Sequence, residues 1–324
     1  MVAAPSGNPS IVALGGGTGL STLLSGLKHH TSSLAAIVTM ADDGGSSGRL
    51  RREIGLLPPG DIRNCLVALA DDESLMGQLF KYRFDEGQLA GHSFGNLFLA
   101  ALAKVSGDFE EAVRLAARIL DSRGTVLPAS LDMVSLTAEM QDGRIMSGQS
   151  CISSSLQSCR RIWLEPRQAS PTSAVLEAIA GADLIVIGPG SLFTSVIPLF
   201  LVRGIPEAVA AAPCQKLFVM NVMTQPCETL GFSAADHLKA LNAHAGAKVV
   251  DTVLVNTTEP PAEIVAAYRT EGAEPVRLDY EKLAGMDVRV LVADVGFARG
   301  DYFRHDSSRL AAAIMSLLEA HQPR

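Results

Sequence analysis

The sequence has no basic tract, no paired cysteines and no pair of histidines spaced to hold a metal on a helix. The formal net charge is −7, whereas a protein that coats nucleic acid needs clustered lysine and arginine to neutralise phosphates. The five cysteines are scattered without a C-x-x-C motif. This pattern is typical of reduced thiols in a cytosolic protein and not of a disulfide framework or a zinc knuckle. We therefore expect a cytoplasmic protein with no nucleic-acid partner.

The sequence also lacks a long hydrophobic run. The longest apolar candidate, residues 192–202, contains Pro198 and is too short to cross a bilayer. The first ten residues carry no lysine or arginine and no apolar core, so they do not have the pattern of a signal peptide. Because 48% of the residues are hydrophobic and only 19% are charged, we expect a globular chain with a large core and no membrane partner.

What the sequence does contain is a glycine-rich turn between a strand and a helix. The apolar run 11–14 is followed by Gly15, Gly16, Gly17, Thr18 and Gly19, and then by leucines at i, i+3, i+4 and i+7 spacing. Such a turn lets backbone N–H groups and a helix N-terminus approach a phosphate, although a tight turn without a ligand is the alternative. The spacing is neither G-x-G-x-x-G nor a P-loop, because no Gly-Lys-Ser/Thr follows.

A second apolar strand, residues 34–39, leads into a polar loop that begins with Asp42 and Asp43. The two strands and the helix between them predict a right-handed parallel βαβ unit. Asp42 stands near the position of the acid that holds a ribose hydroxyl in dinucleotide-binding folds. The two carboxylates could also hold Mg²⁺ through water, and a plain surface loop is the alternative.

A second strand–turn–helix junction follows at residues 183–195. The buried strand 183–187 runs into Gly188, Gly190, Ser191, Thr194 and Ser195. Two such junctions in one sheet predict a ligand held at the crevice where the strand order reverses. The strand 216–220, which also ends in a polar segment, is predicted to belong to the same sheet.

Residues 49 to about 170 have a different character. The segment 49–120 is mostly helical in pattern, with Asp61 as a candidate N-cap, and segments within 125–165 predict a small antiparallel β region. The loop 91–96 places His92 and Asn96 between glycines. It predicts either a ligand-contacting loop or a helix entry capped by Ser93 or Asn96.

The C-terminal part continues the α/β pattern. Strands are predicted at 252–256 and 288–293, a short one at 276–278, and a helix that carries Tyr268. His305 beside Asp306 is a candidate acid–base pair, but N-capping of the last helix by Asp306 is favoured. The chain is therefore predicted to be one Rossmann-like, doubly wound α/β domain over 1–324, with a mostly parallel sheet and a mixed helical and β insertion at about 49–170.

Seven motifs in this order resemble the bacterial gluconeogenesis-factor family (YvcK type), which is similar in fold to the phospholactate transferases of the CofD type. They are GGGTGLSTLLSGLK, MADDGGSSGRLR, PPGDIRNCL, GHSFGNL, DLIVIGPGSLFTSVIP, NVMTQP-ET and RHD. The resemblance covers residues 15–306. It implies a cytoplasmic nucleotide-sugar-binding regulator without an established reaction, needed for cell shape and cell-wall synthesis during gluconeogenic growth. It also implies UDP-N-acetylglucosamine as the ligand, a homodimer or larger homo-oligomer, and room for a regulatory protein partner.

The resemblance also assigns individual residues to the ligand site. An aromatic side chain can stack on a base and an arginine suits a diphosphate, which fits Tyr268 and Arg304. The implied ligand-binding positions are Gly16, Gly17, Thr18, Gly19, Asp42, Asp43, Asn64, His92, Asn96, Gly188, Gly190, Ser191, Thr194, Ser195, Tyr268 and Arg304. Cys227 and Leu199 depart from the residues expected there, which puts the fine shape of the pocket in question.

Two functions stay open on the sequence alone. The first is a regulator that binds a UDP-sugar without turning it over and requires no cofactor. The second is a Mg²⁺-dependent transferase of the phospholactate type, in which Asp42 and Asp43 would be the catalytic acids. A dehydrogenase is a weaker third, because the glycine fingerprint does not match.

Overall fold

The computed structural model describes residues 8–71, 74–155 and 159–320. The strands are β1 Ile11–Gly15, β2 Leu34–Val38, β3 Thr125–Pro128, β4 Ser135–Met140, β5 Ile145–Ser147, β6 Cys159–Glu165, β7 Leu184–Ile187, β8 Gln215–Val219, β9 Thr252–Asn256, β10 Arg289–Ala293, β11 Gly296–Arg299 and β12 Tyr302–His305. The α-helices are α1 Gly17–Leu27, α2 Gly45–Ile54, α3 Gly60–Leu69, α4 Leu75–Lys81, α5 Phe94–Ser106, α6 Phe109–Ile119, α7 Gln149–Ser153, α8 Ser173–Ala180, α9 Ile197–Phe200, α10 Ile205–Ala211, α11 Ala234–Ala245, α12 Ala262–Thr270, α13 Tyr280–Ala284 and α14 Ser307–Glu319. A 3-10 helix spans Gly87–Leu89, and a π-helix spans Leu192–Val196.

A seven-stranded sheet forms the centre of the fold. Its order is β3-β2-β1-β7-β8-β9-β10, and every neighbouring pair is parallel. The chain builds outward from β1 in one direction and from β7 in the other, so the strand order reverses between these two strands. This confirms the predicted doubly wound, Rossmann-like α/β fold.

The two central strands, β1 and β7, are buried on both faces, which explains why their sequences are continuous apolar runs. In β1, Val12 and Leu14 belong to the core on one face of the sheet, and Ile11 and Ala13 to the core on the other. All four residues of β7 are fully buried. Covering both faces with helices fixes the register of β1 and β7, and with it the position of the turns that follow them.

The leucine face of α1 is buried against the sheet and the neighbouring helices. Leu20, Leu23, Leu24 and Leu27 are all fully buried. At Gly26 a Cβ would overlap the backbone of Ser307, so α1 and the start of α14 approach closely. The predicted cap of that last helix is confirmed, since the Asp306 side chain accepts a hydrogen bond from the Arg309 N–H.

Three predictions about smaller elements were wrong. Thr125–Pro128 was assigned to the antiparallel region but is the edge strand of the main sheet, parallel to β2; helices α2 to α6 form the crossover that brings it there. The segment 276–278 makes only an isolated bridge between Arg277 and Ser233. Asp61 lies in the first turn of α3, whose N-cap is Pro59.

The antiparallel region itself is a three-stranded sheet of order β5-β4-β6. The predicted hairpin turn lies between β4 and β5, where the Met140 N–H bonds to the Arg144 carbonyl. A second antiparallel pair, β11–β12, was not predicted. It carries the R-H-D motif up to the start of α14.

Among the described residues, no single helix is long and apolar enough to cross a membrane. Leu192–Phe200 and Ile205–Ala211 reach the required length and composition only as a pair, which is bent by 77°.

Candidate functional site

A cavity of about 270 Å³, which we call the first cavity, opens at the carboxyl ends of β1, β7 and β8. Its walls come from the two glycine turns, the segment after β8, one residue of α12 and strand β12. The lining residues are Gly16, Gly17, Thr18, Gly19, Thr22, Pro189, Gly190, Ser191, Ser195, Asn221, Val222, Met223, Thr224, Gln225, Tyr268, Phe303, Arg304 and His305. None of these is a carboxylate.

The first glycine turn joins β1 to α1. Gly17 has a φ of +64°, a conformation that costs little for glycine and is strained for other residues. A Cβ at Gly16 would come within 2.8 Å of an Asp61 carboxyl oxygen and closer still to Thr39. The N-terminus of α1 therefore starts at the wall of the first cavity, where its N–H groups lack partners within the helix.

The second turn joins β7 to the π-helix. Gly188 has a φ of +71°. The Gly190 N–H donates to Asn221 Oδ1 at 3.2 Å, and Asn221 Nδ2 donates to the Gly190 carbonyl at 2.8 Å. Gln225 Nε2 donates to Ser191 Oγ at 2.8 Å. The segment after β8 thus holds the second turn in place through two side-chain amides.

The two turns lie directly against each other. A Cβ at Gly19 would overlap the Pro189 carbonyl, and a Cβ at Gly190 would lie 3.3 Å from the Gly16 carbonyl oxygen. The glycines at 19 and 190 are therefore needed for the packing of the two turns. The prediction that both junctions meet at the reversal of strand order is confirmed by the adjacency of β1 and β7.

Asp61 lies behind the first turn. Its carboxyl is enclosed, although part of the residue stays accessible. Burial raises the pKa of this carboxyl to about 6, and the negative charge of Asp42 adds to the rise. Hydrogen bonds from the Gly17 N–H and the Asn64 side chain act in the opposite direction. Asp61 therefore titrates near neutral pH within reach of the turn.

The side chains of Asp42 and Asp43 form hydrogen bonds with different segments of the chain. Asp42 Oδ1 accepts from the Gly44 N–H at 2.9 Å. Asp43 Oδ1 accepts from both the N–H and the hydroxyl of Ser150 at 2.8 Å, so this carboxylate ties the loop to the start of α7. Neither lines the first cavity. The doublet is thus divided between a position near Asp61 and a position at the antiparallel sheet.

The loop before α5 supports a helix entry. Ser93 Oγ caps α5 by accepting from the Asn96 N–H at 3.1 Å. His92 is buried, its Nδ1 lies 3.0 Å from Ser46 Oγ, and burial lowers the pKa of the imidazole. Neither His92 nor Asn96 lines the first cavity. Asn64 lines an adjoining cleft instead.

Thr194 has a buried partner that the sequence did not indicate. Its hydroxyl donates to Glu228 Oε1 at 2.6 Å, and the Phe193 N–H donates to Glu228 Oε2 at 2.9 Å. Burial raises the pKa of Glu228, which is only 3% exposed. Thr194 therefore points away from the first cavity, whereas its neighbour Ser195 lines it.

Tyr268, from α12, and Arg304, from β12, also line the first cavity. The Tyr268 hydroxyl accepts from the Phe303 N–H at 3.4 Å. The Arg304 guanidinium lies 4.9 Å from the centre of the Tyr302 ring. The hairpin β11–β12 thus presents one cation to a cavity whose other walls are uncharged.

His305 follows Arg304 and also lines the first cavity. It is 9% exposed, and burial lowers its pKa to about 4. A hydrogen bond to the Met220 backbone raises the pKa and offsets part of this shift. Its Nε2 has no partner among the described residues. His305 is therefore neutral at neutral pH.

The structure brings nine of the sequence-predicted ligand residues together at the first cavity. They are Gly16, Gly17, Thr18, Gly19, Gly190, Ser191, Ser195, Tyr268 and Arg304. Asp42, Asp43, Asn64, His92, Asn96, Gly188 and Thr194 lie outside its lining. Sequence reasoning missed Asn221 and Gln225 as holders of the second turn; their signals were their place after a buried strand and their place in the motif NVMTQP-ET.

The two departures from the expected motifs lie at different places. Leu199 is fully buried in the core and does not line the first cavity. Cys227 is partly exposed beside Glu228, and burial together with that carboxylate raises the pKa of its thiol.

Comparison with known proteins gives a consistent family. The model for the family described as 2-phospho-L-lactate transferase CofD matches residues 11–296. A gluconeogenesis factor from Bacillus subtilis is 50% identical over 96% of this chain and 98% of its own length. One from Listeria innocua is 40% identical over 96% of each chain.

A solved structure agrees. The crystal structure of a Bacillus halodurans protein is 46% identical and superposes with a TM-score of 0.91, covering 95% of this chain and 99% of that one. Since both the family model and full-length relatives match nearly all of the sequence, the chain belongs to the gluconeogenesis-factor group of the CofD-like family.

Proposed function

We propose that the chain is a regulator that binds a nucleotide sugar of the UDP-N-acetylglucosamine type in the first cavity and does not turn it over. The observation that carries the proposal is the composition of this cavity. Two backbone turns, a helix N-terminus, Tyr268 and Arg304 all contribute to its lining, and no carboxylate is among the described residues that line it. The relatives named gluconeogenesis factor support a role in gluconeogenic growth, which we extend to cell shape and cell-wall synthesis under that condition.

The glycine side of the first cavity suits the diphosphate. Helix N-termini bind anions because their N–H groups are unpaired and the helix dipole is positive there. Thr18, Gly19 and Thr22 belong to the first turns of α1, and Ser191 and Ser195 add hydroxyls from the second turn. On a chain of formal charge −7, a cavity free of carboxylates favours an anionic ligand.

Tyr268, Arg304 and His305 suit the base and the sugar of such a ligand. Tyr268 can stack on a base, and Arg304 can bond to a phosphate or to a carbonyl edge of the base. His305 adds a neutral imidazole to the lining, since burial lowers its pKa to about 4. These three residues come from α12 and β12, so binding depends on where the hairpin lies.

Calorimetric titration of the full chain with UDP-N-acetylglucosamine tests the proposal. We expect saturable binding, weakened about tenfold or more by Tyr268→Ala because base stacking is worth about 1–3 kcal/mol. Arg304→Ala should have a similar effect through the loss of a charge-assisted bond. Arg299→Ala is the matched control, an exposed arginine on the same hairpin that does not line the cavity. No heat at millimolar ligand would contradict the proposal.

The transferase is the second candidate, and Asp61 favours it. A carboxyl with a pKa of about 6 next to the glycine turn and Asp42 has the properties of a proton donor or acceptor. These residues do not form a complete protein cage for Mg²⁺, however, which usually takes one or two carboxylates and the phosphates of its substrate. No three His, Cys, Asp or Glu side chains cluster in the described part of the chain, and Asp43 bonds to Ser150.

The two candidates differ in a product assay. The chain is incubated with a lactyl-diphospho-guanosine donor and an alcohol that accepts the phospholactyl group. Free guanosine monophosphate should appear only if the chain is a transferase. The assay is run with and without Mg²⁺ and with Asp61→Asn as the variant. Absence of product under all conditions, together with binding of the UDP-sugar, supports the regulator.

A further inference from the structure

A second cleft, of about 460 Å³, adjoins the first cavity. It shares Thr18 and Thr22 with it and extends along the outer side of α1 towards α3 and α4. The lining residues are Thr18, Ser21, Thr22, Ser25, Arg63, Asn64, Val67, Ala68, Phe80, Lys81 and Arg83. Three cations and four hydroxyls thus face this cleft, and no carboxylate is among the described residues that line it.

Within the part of the chain that the structure describes, the two arginines of the second cleft form no ion pair with a carboxylate. Arg63 donates to Asn64 Oδ1, and its Nε is buried without a partner among the described residues. Arg83 donates only to the carbonyl of Gly91, at 2.7 Å. A buried N–H donor without a partner costs free energy, more so on a charged group.

The cations are also held close to each other. Burial and the positive charge of Arg83 both lower the pKa of Arg63. The attraction of Asp61 and Asp42 opposes this, but neither forms an ion pair with Arg63 within the described residues. Two guanidinium groups that repel each other in a partly buried cleft are an arrangement that an anion stabilises.

Packing contacts hold the walls of the second cleft in place. A Cβ at Gly95 would lie 2.8 Å from Arg63 Cγ, so the glycine makes room for the arginine stem. Phe80 is fully buried and packs against Phe94 and Phe98, with ring centres 6.2 and 5.1 Å away. Arg83 is anchored by a backbone bridge to Ser93.

We propose that the second cleft binds a small anion, a phosphate or carboxylate group, at the same time as the first cavity holds its own ligand. The geometry assigns Arg63 and Arg83 to the charge and the hydroxyls of α1 to the remaining oxygens. Ser21, Thr22 and Ser25 now donate to carbonyls of their own helix and can rotate towards the anion. The chain would then respond to two ligands on opposite sides of the first turn of α1.

The test is calorimetric titration of the full chain with inorganic phosphate, and separately with malonate, at low ionic strength. Saturating UDP-N-acetylglucosamine is present, so that the first cavity is filled. We expect saturable binding of at least one anion, and the comparison of the two shows which group the cleft prefers. Arg83→Gln should weaken it at least about tenfold, since a hydrogen bond between charged groups is worth about 1.5–3 kcal/mol.

Arg83 is the variant of choice because its side chain is exposed and its loss leaves the core intact. Arg203→Gln is the matched control, an exposed arginine outside both cavities, and should bind the anions as the wild type does. Thermal unfolding of each variant checks that it is folded. Three results would overturn the proposal: no saturable binding of either anion, an equal loss in Arg203→Gln, or displacement of the anion by the nucleotide sugar.

The outcome is separate from that of the proposed function. If UDP-N-acetylglucosamine does not bind, the anions are titrated into Arg304→Ala and Arg83→Gln instead. Binding that is retained in Arg304→Ala and lost in Arg83→Gln supports the second cleft alone. The reverse pattern places the anion in the first cavity and overturns the inference.

Discussion

Gly19 in the first turn packs directly against the backbone carbonyl of Pro189 in the second turn. The two residues are far apart in sequence but follow β1 and β7, which are neighbours in the sheet. The wall of the first cavity is therefore a contact between two stretches of backbone, with no side chain between them. Its shape depends on this contact as much as on the polar groups that line it.

Gly19→Ala is expected to destabilise the fold. The added methyl group would overlap the Pro189 carbonyl, and forcing atoms into a packed site costs about 1–3 kcal/mol. Urea denaturation measures the effect. Gly285→Ala is the control, because Gly285 has a φ of −72° and its nearest neighbour would lie 3.4 Å from the new Cβ. Equal stabilities of the two variants would refute the contact.

Asp61→Asn is expected to change how stability depends on pH. The pKa of the Asp61 carboxyl is about 6 in the folded chain and about 4 when unfolded. The folded state thus keeps a proton that the unfolded state has released, and ionisation weakens the wild type as pH rises through this window. Relative to Asp61→Asn, the wild type should lose on the order of 2 kcal/mol between about pH 4 and pH 7. The measurement is the free energy of unfolding in urea at several pH values; parallel curves for the two proteins would contradict it.

His305→Gln is expected to act in the opposite direction. The pKa of His305 is about 4 in the folded chain and about 6.5 when unfolded. Below the unfolded value only the unfolded state gains a proton, so the wild type is stable above it and loses stability as pH falls towards 4. The loss is on the order of 3 kcal/mol. Glutamine does not titrate, so the variant should lose less over the same range.

The same series of unfolding curves measures this second effect. His237 and His244 also have pKa values lowered by burial, but they are present in both proteins and cancel in the comparison. If the variant and the wild type lose equal stability on acidification, His305 is not the buried neutral group described.

Thr194→Val is expected to leave Glu228 short of a donor. The threonine hydroxyl and the Phe193 N–H both donate to this buried carboxyl, and the Thr194 N–H adds a further bond. Removing one partner of a buried group costs about 1–3 kcal/mol. Thr194→Ser keeps the hydroxyl and should cost clearly less. Thermal unfolding of both variants decides, and a valine variant as stable as the serine variant would rule out the hydrogen bond as a stabilising contact.

The features predicted correctly are those that neighbouring residues determine. The apolar runs at 11–14 and 183–187, the glycines after them and the leucine spacing of α1 each have one favourable local structure. Parallel strands buried on both faces then leave few ways to arrange the sheet. The meeting of the two turns at the first cavity follows from these local features.

The features predicted wrongly depend on partners distant in sequence. Thr125–Pro128 is compatible with either sheet, and only the crossover after β2 places it beside that strand. The hairpin β11–β12 has no alternating pattern that marks it. Asp43 bonds to Ser150, 107 residues away, a contact that no local pattern in the sequence indicates.

The sequence by itself determined the fold class, the two glycine turns and the family, because short runs of neighbouring residues determine strand burial and turn geometry. Only the tertiary structure decided which polar groups face the first cavity. It separated Asp42 from Asp43, turned Thr194 towards Glu228 and enclosed Asp61 behind the first turn. The reason is physical: a side chain's partner, burial and pKa depend on segments that meet only when the chain is packed, and the same residue type is a ligand contact or a structural cap according to what it meets.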